Sequence, residues 1–180
     1  MKTNLLFIIT LFIALSTIAQ DKLTTKTGTL KFEASTPNFE PVAATNNSTS
    51  AILKEDGSIV VLSLIKGFQF KKALMQEHFN SKKWVNSKKF PKAKFVGNLD
   101  GYNVKDVTET GKEFKLSGKL TFHGVTNNVT TTAIVKKMDG VVYLETKFSV
   151  EVEDYNIIVK SKLAKKIAKT VNVEVNLALK

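Results

Sequence analysis

The chain has 180 residues and a formal charge of +11; its 27 basic residues are all lysine, and it has no cysteine. The missing thiols exclude disulfides, thiolate catalysis, thiolate metal sites and a lipid-bearing cysteine. The missing arginines argue against nucleic-acid recognition, which favours the bidentate guanidinium fork, whereas lysines give a diffuse field that suits solubility, protected sheet edges or an anionic membrane surface.

Residues 1–19 read as a secretory signal peptide. Lys2 supplies the positive start, Leu5–Leu15 is apolar apart from Thr10, and Thr17-Ile18-Ala19 offers small residues for a cut. The apolar run falls short of the ~20 residues of a membrane span. Residues 20–180 are enough for one domain with a sizeable core, which needs no disulfides. The expectation is therefore a periplasmic or secreted protein.

The remaining chain reads as strand after strand. Leu23–Ala34 places Leu30, Phe32 and Ala34 on one face and Lys31 and Glu33 on the other. A polar segment, Thr45–Ser50, leads into Ala51-Ile52-Leu53 and the turn Glu55-Asp56-Gly57-Ser58. Ile59–Ile65 is nearly all apolar and reads as a strand buried on both sides. Lys71–Trp84 shifts to helical spacing, with Leu74, Met75 and Phe79 between polar residues, and predicts a short helix. Alternation returns at Ala93, Phe95, Gly97 and Leu99.

From Phe114 to Lys137 the pattern is a two-strand ribbon. Phe114, Leu116, Gly118, Leu120 and Phe122 share a dry face, and Lys115, Ser117, Lys119, Thr121 and His123 share a wet one. His123–Asn128 reads as the turn, and Val129–Val135 as the return strand. Met138-Asp139-Gly140 closes another hairpin, followed by alternation from Val142 to Val152. Lys160–Lys169 predicts one or two helical turns, and Val171–Leu179 alternates again. About eight one-sided strands, short turns and one or two short helices predict an all-β, eight-stranded antiparallel barrel, filled by side chains or holding one small ligand.

Chemistry is sparse. The two histidines, His78 and His123, lie in different elements, no serine sits in a nucleophile elbow, and no glycine-rich phosphate loop is present. His123 reads as a turn residue whose ring bonds nearby backbone. Glu151, Glu153 and Asp154 lie close together, but Glu151 and Glu153 share one outward strand face and read as solvated surface rather than a catalytic pair. The expectation is no enzyme, no metal and no cofactor.

Two stretches carry a likeness. Met75–Asn80, Trp84 and Lys89–Gly97, together with Leu116–Thr126, resemble the YceI-like domain family over nearly all of residues 20–180. The resemblance implies an exported, lipocalin-like barrel that binds a long isoprenoid or related amphipathic lipid, and it carries over no catalytic residue. The candidate lining is then Phe32, Ile52, Phe68, Phe70, Phe95, Leu120, Phe122, Leu144 and Phe148, with barrel core as the plain alternative for each. Lys162, Lys165, Lys166 and Lys169 are candidates for contact with an anionic membrane. The bound lipid's identity and the oligomeric state, a homodimer included, are left open.

Overall fold

A computed structural model describes residues 22–159 and 165–180. The expected signal peptide at residues 1–19 and the lysines at 160 and 162 lie outside the described residues.

The strands are β1 (Lys22–Ser35), β2 (Ala43–Lys54), β3 (Ser58–Leu64), β4 (Gln69–Phe70), β5 (Lys92–Leu99), β6 (Lys112–Phe122), β7 (Val125–Met138), β8 (Val141–Glu151) and β9 (Ile167–Leu179). One α-helix, α1 (Ala73–Asn80), lies between β4 and β5. The sheet order is β1-β9-β8-β7-β6-β5-β3-β2, and β2 pairs back onto β1, so the sheet is a closed barrel of eight antiparallel strands. Closure removes the free edges that an open sheet exposes. The ninth strand, β4, is a two-residue addition to the start of β2.

Several details differ from the sequence pattern. The polar segment Thr45–Ser50 is strand, because Asn46 and Thr49 point inward with their hydrogen bonds met. Asn46 Nδ2 donates to the Leu64 carbonyl at 2.9 Å, and its Oδ1 accepts from the Ser48 amide at 2.8 Å. The register between β1 and β2 shifts twice, between Thr25 and Gly28 and between Gly28 and Leu30. At the second shift β2 carries the extra residue, so its inward positions change from Ala44 and Asn46 to Thr49, Ala51 and Leu53. Ile52 is therefore turned outward and is 41% exposed, which removes it from the lining.

Strand β3 is not buried on both sides. Among the described residues no layer covers the barrel's outer face there, and Leu64 is 51% exposed. Val125–Asn128 belongs to β7, leaving His123 and Gly124 as the whole turn. Both have positive φ, 49° and 80°, as a tight twisted hairpin requires. A Cβ at Gly124 would also stand 2.6 Å from the Phe90 ring, so this position demands glycine twice over. Ile167–Lys169 begins β9 instead of forming a helical turn.

Two apolar clusters fill the interior. The first occupies the rim that holds the β2–β3 and β7–β8 turns and includes Leu53, Ile59, Leu99, Phe114, Val135, Leu144, Leu177 and Leu179. The second lies under α1 at the opposite rim, around Ala44, Ile65, Phe68, Val85 and Ile157. Burying each large apolar side chain contributes roughly 1.5–3 kcal/mol, so the clusters clamp the barrel at both ends.

Candidate ligand-binding lumen

Between the clusters lies a cavity of about 50 Å³. Phe95, Leu120, Leu144 and Phe148, four of the nine residues expected to line the interior, form part of its wall. Leu30, Ile59, Val61 and Leu177 contribute further apolar surface. Its hydroxyls are already engaged: Ser63 Oγ lies 2.6 Å from Thr49 Oγ1, and Thr131 and Thr146 donate to the carbonyls of Lys147 and Thr132 at 2.8 and 2.9 Å. The wall bears no acid, base or free nucleophile. Apart from these engaged hydroxyls the surface is hydrocarbon.

Phe32, Phe68 and Phe70 stand above this cavity, in the second cluster. They meet Phe79 of α1 in a lattice of rings: Phe32 stacks on Phe79 at 5.4 Å, and Phe70 and Phe68 lie 5.1 and 5.9 Å from Phe79. Such pairs contribute about 0.5–1.5 kcal/mol beyond their burial. Helical spacing marks Phe79 as apolar, but no local pattern shows that it caps the barrel. Phe122 packs against the same cluster and against Tyr155 at 5.7 Å. Tyr155 was missed altogether, since it sits in a 3-10 turn (Val152–Tyr155) with no periodic pattern.

The helix itself is lightly held. It has eight residues, no fully buried side chain, no acidic residue in its first turn and no side-chain N-cap. Among the described residues its ties are the Phe79 ring, the Phe70 amide donating to Gln76 Oε1 at 3.3 Å, the turn bonds from Val85 and Ser87 to Phe79 and Asn80, and the exposed ion pair of Lys72, its N-cap residue, with Glu40. A helix this short is unstable alone, so packing keeps it in place.

His123 Nδ1 lies 2.8 Å from the Tyr155 carbonyl, and because a carbonyl only accepts, Nδ1 carries the proton. The ring meets Phe90 edge-on at 4.5 Å. It joins a hairpin to a neighbouring turn and does not face the cavity. Among the described residues no group of three His, Asp or Glu is placed to hold a metal ion.

A wider depression of about 380 Å³ lies on the outside of β1, β9 and β8. Its charges face solvent and one another: Lys147 pairs with Glu174 at 3.5 Å, while the Asn176 amide first, and Lys147 second, hold the Glu174 carboxyl below its usual range. Of the lysines expected to touch a membrane, Lys165 and Lys166 are exposed at the α1 rim, where Thr36 Oγ1 bonds the Lys165 carbonyl. Lys169 instead pairs with Glu153 at 2.7 Å, a contact that raises its ammonium's pKa.

The YceI-like domain model matches residues 17–179. The chain belongs to the YceI-like domain family. No curated protein sequence matches it. Among solved structures, this YceI-like chain is similar to the polyisoprenoid binding domain from Saccharophagus degradans implicated in plant cell wall breakdown, with TM-score 0.76 and 15% identity over 88% of this chain and 97% of that one. It is similar to Burkholderia cenocepacia BcnA, with TM-score 0.70 and 18% identity over 84% and 96% of the two chains. The YCEI protein of Campylobacter jejuni gives 0.61 and 16% over 81% and 89%. At these identities the likeness establishes a shared YceI-like barrel.

Proposed function

We propose that this chain is an exported lipid-binding protein that holds a long isoprenoid or similar amphiphile in its barrel, as a carrier or reservoir in the cell envelope. The observation that carries this reading is the mid-barrel cavity with its apolar wall and fully engaged hydroxyls. Family membership and the Saccharophagus degradans polyisoprenoid binding domain support the same class of ligand. Each buried methylene contributes about 0.8 kcal/mol, so roughly ten give a gross ~8 kcal/mol, on the scale of micromolar binding before the costs of association. No polar anchor is needed.

The size of the cavity sets a condition. At about 50 Å³ it is small beside the ~300–1,000 Å³ of ordinary ligand pockets. Loading therefore requires the Phe32, Phe68, Phe70 and Phe79 rings to part, and α1, with its few ties, is the element that yields most cheaply. The same small cavity favours a second reading, a filled barrel acting as a non-enzymatic scaffold.

Solvent extraction of protein purified from its native host, followed by mass spectrometry, separates the two. The lipid reading expects a prenyl or acyl amphiphile at near one per barrel. An empty extract, with no change in Trp84 fluorescence when isoprenoid is added, overturns it; Trp84 is the single tryptophan and packs against the cluster that must open.

A further inference from the structure

The positive charge is concentrated at one end of the barrel. Residues 66–94, which include β4, α1 and the loop after it, carry nine lysines and a single acid, Glu77. All nine lysines are exposed. Among the described residues only Lys72 of the nine meets a carboxylate, Glu40 at 2.5 Å. The opposite rim is different: its turns carry Glu55, Asp56, Asp100, Asp106, Glu109 and Asp139.

The basic rim also exposes large apolar side chains. Leu74 in the first turn of α1 is 61% exposed, Leu64 at the end of β3 is 51%, and Phe39 beside Glu40 is 43%. Leu64 stands opposite Lys92 in the β3–β5 ladder. Apolar tips set among unpaired lysines are the arrangement of a surface that sits in the headgroup region of a bilayer. A soluble acidic partner would satisfy the lysines but leave the leucines in water.

We propose that this rim is a docking surface for an anionic lipid bilayer, with the lysines attracted to the headgroups and Leu74 and Leu64 entering the interface. Docked in this way, the Phe79 plug faces the membrane. The inference rests on the lipid-binding reading for its purpose, though not for its test.

The test uses the full barrel domain and sucrose-loaded vesicles of 7:3 phosphatidylcholine to phosphatidylglycerol at low salt, with pure phosphatidylcholine vesicles for comparison. Unchanged protein is expected to sediment with the anionic vesicles only. The variant K71Q/K82Q/K83Q/K88Q is expected to partition at least about tenfold more weakly, since four attractions to the headgroups are removed. The charge-matched variant K22Q/K54Q/K105Q/K137Q, at the other rim, is expected to change less than about threefold. All eight positions are exposed, and thermal melts verify that both variants fold.

Equal losses in the two variants overturn the proposal, since they would assign binding to net charge. Equal binding of a soluble anionic polysaccharide, unaffected by Leu74→Ser, overturns it as well. Isoprenoid loading in detergent is measured in parallel. If loading fails while the rim-specific vesicle binding holds, the cargo reading falls and the docking surface stands.

Discussion

The ring of Phe95 lies across Gly118, the residue that faces its neighbour Gly97 on the adjacent strand. A Cβ at Gly118 would stand 2.6 Å from the Phe95 Cζ, and one at Gly97 would stand equally close to the same ring. The paired glycines form a shelf on which the ring lies along the barrel wall, leaving the cavity beside it open. Gly118→Ala is expected to cost roughly 1–3 kcal/mol in urea unfolding, the usual range for overpacking. In a Phe95→Ala background the cost of Gly118→Ala should shrink but not vanish, because the Val96 carbonyl also crowds that Cβ. A cost of zero in that background would mean that the ring alone requires the glycine.

The plug gives a second prediction. Phe79→Ala removes the ring at the centre of the aromatic lattice, yet Phe79 is only half-buried. The expected cost is about 2–3 kcal/mol, below the ~3–5 kcal/mol of a fully buried phenylalanine. Uptake of a fluorescent isoprenoid, followed by stopped flow, should become faster. Slower uptake would place the entrance elsewhere.

Tyr102 closes the other end of the barrel, with its ring 5.6 Å from Phe114 and its hydroxyl buried with no hydrogen-bond partner among the described residues. Burial raises this phenol's pKa. In the unfolded chain the group ionises near pH ~10. Its contribution to stability is complete below that pH and is lost as the pH rises from there through the higher folded value. Tyr102→Phe should leave neutral-pH stability unchanged or raise it by up to ~1 kcal/mol, since no hydrogen bond is lost. It should also flatten the alkaline decline in melting temperature. A steeper decline would show that the hydroxyl is held by a favourable contact.

The face exchange in β2 can be read from neighbouring residues. Ile52→Thr should change stability by less than about 0.5 kcal/mol, as at other exposed positions. Leu53→Ala, at a position 1% exposed, should cost about 2–5 kcal/mol. The reverse order would mean that β2 has no extra residue.

Most of the barrel was legible because its periods were unbroken. The stretch Phe114–Phe122 and the strands from Val142 and Val171 hold one alternation each, and the structure keeps their dry faces inside. Ile52 was misplaced because a bulge upstream at Asn47-Ser48 reverses the parity, and nothing apolar marks a bulge of polar residues. The polar segment before it concealed a strand for a related reason: Asn46 and Thr49 are inside because specific partners await them, a fact of tertiary placement. Phe95, Leu120, Leu144 and Phe148 were found in the cavity wall because they lie on unbroken strands. The aromatic plug was only half legible. Phe32, Phe68 and Phe70 are apolar positions in strands or beside them, but their meeting with Phe79 depends on how a short helix folds back over the rim.

Thr24 and Lys180 exchange both backbone hydrogen bonds, at 2.7 and 3.0 Å, so the described chain starts and finishes side by side at the rim farthest from α1. That placement has a practical side for anyone handling the molecule. An affinity tag, a dye or a tether to a solid support can be joined at the C-terminus without covering the lysine-bearing rim, and a protein immobilised that way would present that rim to the solution. A short linker between Lys22 and Lys180 would also permit new ends to be cut elsewhere, for instance at Asp139-Gly140, where the hairpin tip is exposed.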